Sequence, residues 1–237
     1  MRHRKARAVN GITLESIVNI RPLLILATFG GQPAMASATA NFRLRADMLP
    51  VACNVSFSNN GVVDFGDIFA RQLSDTAFTT VGAKQFTLTL TCDAAARVAV
   101  TATDGRRGTA VPDMGYFLFL NQGDASTFGV GSVGGRNVGA YIIYREQAAT
   151  ADGQAVRSIV SNDNGGTWMA SSGAINALIP DTRLHGWAPT NSTEPGSYVS
   201  ISQPYYVKLG LNTKAGMPPL TQSVPIDGLA TFTVTYL

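Results

Sequence analysis

The sequence runs to 237 residues, of which 45% are hydrophobic and only 14% charged, with a formal net charge of +3. Five of its 18 basic side chains but only one of its 15 acidic ones lie in residues 1–38, so the remainder is near neutral at −1. That balance excludes the basic footprint of a nucleic-acid-binding domain. Beyond residue 38 there are one histidine, His185, and two cysteines, Cys53 and Cys92. These are too few to fill a closed tetrahedral metal shell, so neither a metal nor a cofactor is expected.

The chain opens with Arg2, Arg4, Lys5, Arg7 and Arg21, followed by the uncharged stretch "PLLILATFGGQPAMASA". A basic region, a short apolar core and a small-x-small site at Ala36-Ser37-Ala38 read as a secretory signal over residues 1–38. The apolar run is shorter than the ~20 residues that cross a bilayer as a helix. In the oxidising compartment that export implies, Cys53 and Cys92 are expected to join, with two buried thiols as the alternative. A bridge would close a loop of about 40 residues, worth roughly 4 kcal/mol in the chain-entropy account.

Next comes "TANFRLRADMLPVAC", in which Ala40, Phe42, Leu44, Ala46 and Met48 alternate with polar residues until Pro50 interrupts the pattern. That is an amphipathic strand set apart from the body by a proline. The body, from residue 51 onward, is a succession of short alternating runs. These are "FTLTLTC", "RVAVTAT", "GYFLFLN", "GAYIIYRE", "AVRSIVS", "SYVSIS", "YYVKLGL" and the terminal "TFTVTYL". Asn60-Gly61, Asp104-Gly105, Asp152-Gly153, Gly165-Gly166 and Asp227-Gly228 punctuate them as turns. Many short strands at this spacing predict an all-β sandwich or barrel. The glycine-rich "FGVGSVGGRNVGA" lacks the following helix that a phosphate cradle needs, so a surface loop is expected there.

The order of these features resembles the pilin subunits of chaperone–usher fimbriae. It runs from the leader through the alternating arm and "PVAC" to "VSFSNNGVVDFGDI", a second cysteine closing a strand, and a penultimate tyrosine on the last strand. The similarity is greatest to a fimbrial-like branch known mostly as a domain of unknown function. It implies an immunoglobulin-like sandwich lacking its last strand, so that a hydrophobic groove lies open beside the final strand. It also implies a donor-strand arm over residues 39–50, a pilin domain over 51–237, and assembly by β-augmentation. On this resemblance Ala40, Phe42, Leu44, Ala46 and Met48 would be donated to a neighbour. Phe232, Val234 and Tyr236 would form the groove and the chaperone-facing strand, and Cys53–Cys92 would staple the first strand to the next. The implied partners are a periplasmic chaperone, an outer-membrane usher and neighbouring pilin subunits, with a host glycan or protein receptor beyond them. The implied destination is the cell surface. The family commonly has glycine where this chain has Ala46 and Val224; near the latter, the nearest glycine is Gly228.

No catalytic set emerges. "SNDNGGTW", residues 161–168, matches the Asp-box hairpin of sialidases, whose role is structural, so Asp163, Gly165 and Trp168 are expected in a stable turn. His185 has no nucleophile elbow to serve and is expected on an exposed loop. The competing function is a secreted carbohydrate-binding β-sandwich, lectin-like or a tip adhesin, using Trp168 and Trp187 as stacking platforms. On the pilin resemblance itself, the length is that of one enlarged domain, and residues 161–196 are among the surplus expected as exposed binding surface.

Overall fold

The computed structural model describes residues 40, 42–46, 51–119, 123–172 and 176–237. The chain divides into two units, Met1–Asp47 and Met48–Leu237. The expected leader, its cleavage point and Met48 lie outside the described residues. In the first unit Ala40 and residues 42–46 have no assigned secondary structure, and Phe42 and Leu44 are 90% and 82% exposed.

The second unit is the all-β sandwich expected from the sequence. Its strands are β1 (Cys53–Phe57), β2 (Thr79–Asp104), β3 (Thr127–Gly129), β4 (Ser132–Val133), β5 (Arg136–Asn137), β6 (Gly139–Tyr144), β7 (Ala149–Ala151), β8 (Gln154–Ser161), β9 (Met169–Ala170), β10 (Leu184–Ala188), β11 (Ser197–Leu211) and β12 (Ala230–Tyr236). One strand organises the rest. The runs "FTLTLTC" and "RVAVTAT", which read as two strands, are one continuous β2 of 26 residues. Its first half lies between β1 and β11, and its second half between β12 and β10. β2 therefore passes from one layer of the sandwich to the other. Phe86, Leu88, Leu90 and Cys92 are buried at a spacing of two, residues 93–95 are exposed where the strand crosses, and Ala96, Val98, Val100 and Ala102 resume the burial in the same phase.

β11 follows the same rule, burying Ile201, Gln203, Tyr205, Val207, Leu209 and Leu211. It carries Pro204, which has no N–H to donate. Pro204 falls between the stretch that pairs with β7, Ile201–Ser202, and the stretch that pairs with β6, Tyr206–Leu211. No ladder bond is lost on that edge.

The run "GYFLFLN" is not a strand. Residues Met114–Leu118 form a short helix, α1, that lays Met114 and Leu118 against β6 and β11. Gly210 makes that contact possible, since a Cβ there would lie 2.5 Å from Met114 Sδ. The segment folds as it does because it covers the outer face of one sheet, where aromatic Phe119, Tyr144 and Tyr206 also stack. The glycine-rich segment forms the end of β3 and the small β4–β5 hairpin, with Gly131, Gly134 and Gly135 all at positive φ.

Between the layers runs a line of polar side chains. Trp187 Nε1 donates to Gln203 Oε1 at 3.1 Å, and Ser158 Oγ donates to the same oxygen at 3.2 Å. His185 Nδ1 lies 3.2 Å from Tyr205 Oη, with the two rings stacked. Arg145, fully buried, donates to the carbonyls of Ile159 at 3.0 Å and Gly186 at 3.4 Å. Cross-sheet bonds of this kind fix the register of two apolar faces that could otherwise slide.

Cys53 and Cys92 are opposite each other in the β1–β2 register and form the disulfide. Replacing both with serine should lower the unfolding free energy by about 4 kcal/mol, mostly by freeing the unfolded chain. Urea denaturation of the double variant against the oxidised wild type measures it; coincident midpoints would show that the bridge is energetically idle.

Candidate functional site

Among the described residues β1 and β12 pair only with β2, so each has a second edge with no strand beside it. They meet where Tyr236 Oη accepts the Cys53 N–H at 2.8 Å. Below that point lies a cleft of about 440 Å³. Its floor is the inner face of one sheet, with Phe86 from β2, Tyr141 and Ile143 from β6, and Val207 and Leu209 from β11. Phe57 of β1 and Phe232 of β12 stand at its rims, 5.2 Å apart between ring centroids. Phe86 and Tyr205 extend this aromatic cluster inward, so the cleft floor is continuous with the core.

Two loop segments frame the cleft. After β1 the chain turns through Asn59, Asn60 and Gly61, all at positive φ, and continues along the opening from Val62 to Ile68. Lys84 Nζ ties that segment down by donating to the Asp64 carbonyl at 2.5 Å. Before β12, Arg106 holds Asp227 by an ion pair and by Nε donating to its carbonyl at 3.0 Å. Next to it Gly228 lies so close to Tyr141 that a Cβ would sit 2.7 Å from the ring. Val62 and Ile226, both lining the cleft, are exposed, and uncovered apolar surface of this kind marks an interaction surface.

The three β12 residues singled out from the sequence have different surroundings. Phe232 lines the cleft, Val234 is half-buried against the core, and Tyr236 is half-exposed with its hydroxyl engaged by β1. Sequence reasoning missed Phe57, Tyr141 and Gly228. The first was visible as the apolar end of "VSF", whereas the other two owe their place to tertiary approach.

Asp163 knots the β8–β9 hairpin. Its carboxylate accepts from Ser161 Oγ at 2.6 Å, Thr167 N at 2.9 Å and Thr167 Oγ1 at 2.6 Å. These bonds favour the ionised form and hold its pKa down to about 2. Asn164 and Gly165 take positive φ at the tip. Trp168 is half-buried and packs over Gly186, where a Cβ would come within 2.7 Å of the indole.

His185 is not on a loop. It sits in β10 with no exposed surface, beside Tyr205. Burial, then the nearby Arg145 and Arg183 charges, push its pKa well below the ordinary histidine value. Arg183 donates to Asn162 Oδ1 at 2.8 Å and to the Ala177 carbonyl at 2.9 Å. No substrate could reach this imidazole without opening the sandwich. Trp187 is 1% exposed and hydrogen-bonded, so it is core rather than a stacking platform. The 161–196 stretch is thus not a continuous exposed surface, because β10 lies within it. Among the described residues no group of three or more His, Cys, Asp and Glu is placed to hold a metal ion.

Residues 42–142 match the model of DUF1120, described as a protein of unknown function. The chain is similar to DUF1120 proteins. This agrees with the resemblance to a domain-of-unknown-function branch, and the match begins in the arm and spans both cysteines. Two proteins of Escherichia coli strain K12 are similar over nearly their whole length. The uncharacterized protein YhcF is 24% identical, over 92% of this chain and 99% of its own. The protein GltF is 26% identical, over 90% of this chain and 94% of its own. Among solved structures, the crystal structure of the P pilus rod subunit PapA aligns with 13% identity and a TM-score of 0.36, over 77% of this chain and all but 1% of that one.

Because the folded chain keeps His185 neutral while the unfolded chain takes up a proton near pH 6.5, stability should fall as pH drops from 7 to 5. Asp163 contributes a separate loss at lower pH, which sets in as pH falls through its ordinary value of 3.8 and is complete below its folded value of about 2. In His185→Gln the slope of unfolding free energy between pH 7 and 5 should flatten, and an unchanged slope would show that another group carries it. Asp163→Ala should speed hydrogen exchange at the Thr167 and Gly165 amides while leaving those of β2 unaltered, as read by amide-resolved exchange.

Proposed function

We propose that the chain is a structural subunit of a surface fimbria, polymerised by donation of its residues 39–50 into the cleft of a neighbouring copy. The observation that carries this reading is the pairing of an apolar cleft with a strand edge that has no neighbour. β12 offers backbone donors and acceptors, and Phe57, Phe86 and Phe232 offer apolar surface. An extended peptide satisfies both demands at once. The chain carries such a peptide in Ala40, Phe42, Leu44, Ala46 and Met48, whose spacing of two matches a strand with one face buried. Burying Phe42 and Leu44 would contribute about 1.5–3 kcal/mol each before the cost of ordering the arm.

On this reading residues 1–38 are removed on export, a periplasmic chaperone covers the cleft until a neighbour replaces it, and an outer-membrane usher passes the subunit to the surface. Polymerisation asks nothing of the chain beyond binding, so the protein works without a catalytic centre. The similarity in sequence to DUF1120 proteins and the order of arm, cysteines and last strand support it.

A synthetic peptide of residues 39–49, added to the chain lacking that segment, should raise its melting temperature and slow exchange of the β12 amides. The same peptide carrying Phe42→Asp and Leu44→Asp should do neither. Equal effects from both peptides, or none from the first, would end the proposal.

A further inference from the structure

A second cleft, of about 430 Å³, lies beside the β8–β9 hairpin and is lined by Trp168, Thr167, Arg97, Glu194, Pro195 and Leu237. Its size is that of a small-molecule site, which runs from about 300 to 1,000 Å³. The proposed strand donation gives it no role.

Three features make it a built surface. Trp168 is held in place, seated over Gly186 of β10 and fixed from the hairpin side by the three hydrogen bonds to Asp163. Gly165, at φ 91°, brings the hairpin tip to Trp168 with no side chain in the way. Arg97 and Glu194 line the same cleft, and among the described residues neither side chain has a hydrogen bond or ion pair. One is a fork of donors, the other a pair of acceptors, and both keep their full capacity for a ligand.

The charge pattern selects the ligand class. An anion drawn to Arg97 would be repelled by Glu194, and a cation would meet the reverse. An apolar segment would bury both charges unpaired, at a high desolvation cost. A neutral polyol with one apolar face fits all three groups: its C–H face lies on the indole and its hydroxyls accept from the guanidinium and donate to the carboxylate. We propose that this cleft binds a neutral pyranose, with Trp168 as the platform and Arg97 and Glu194 reading the hydroxyls. The site shares no lining residue with the strand-accepting cleft, so either can fail without the other.

Saturation-transfer NMR on the full chain tests it, with the methyl pyranosides of glucose, galactose, mannose and N-acetylglucosamine as probes. At least one should receive saturation at its ring C–H protons, and Trp168→Ala should abolish the signal. Arg97→Ala and Glu194→Gln, both exposed positions, should each weaken the dissociation constant about tenfold, the scale of one charge-assisted hydrogen bond. They keep the test informative if Trp168→Ala disturbs the hairpin. Absence of transfer to all four probes would overturn the proposal. So would undiminished affinity in both the Arg97 and Glu194 variants.

Discussion

The whole body depends on one strand carrying backbone pairing in two layers. Thr79–Asp104 has a neighbour on each side along both of its halves, and the neighbours change where it crosses over. Its inward side chains keep one parity on either side of the crossing, and only Ala94 of that series is exposed. The two layers are then pinned by few but specific contacts: the Trp187–Gln203 bond, the His185–Tyr205 pair and the Arg145 guanidinium on two carbonyls. Each buries a polar group that would be costly unpaired, so each penalises any slip of one sheet over the other.

The same arrangement leaves an imbalance at the rim. β1 and β12 are both satisfied on one side by β2, and neither has a strand on the other among the described residues. Proteins usually blunt such edges with charge or proline. Here the outward positions of β12 are Thr231 and Thr233, which favour extended pairing, and the adjacent surface is aromatic. Such an edge is open to pairing with a further strand, and the aromatic cluster behind it is continuous with the core through Phe86 and Tyr205.

Much of this was readable in the residues. The alternation in "FTLTLTC", "YYVKLGL" and "TFTVTYL" located three of the strands, and the Asp-box spacing located a turn. That "FTLTLTC" and "RVAVTAT" are one strand was also encoded, because Phe86 through Ala102 keep a single parity; Asp93-Ala94-Ala95 lowers the hydrophobicity without breaking the phase. Other features were illegible for physical reasons. "GYFLFLN" has a strand's alternation, yet a tertiary surface claims Met114 and Leu118 as a helix, overriding local preference. His185 looks polar and exposed in "RLHGWAP" because its partner Tyr205 is twenty residues away. Tyr141 and Gly228 reach the cleft only through the packing of distant segments.

The pairing of β12 with β2 joins Ala230 to Asp104 and Tyr236 to Val98, across more than a hundred residues of intervening chain. Closing so long a loop is entropically slow, and topologies dominated by distant pairings fold late and gradually. Until β12 docks, the Val98–Asp104 half of β2 has one open side, and Phe57, Phe86 and Tyr205 have no Phe232 against them. A folding chain that has not yet docked β12 therefore exposes its apolar surface at its greatest extent, and docking competes with aggregation during that interval.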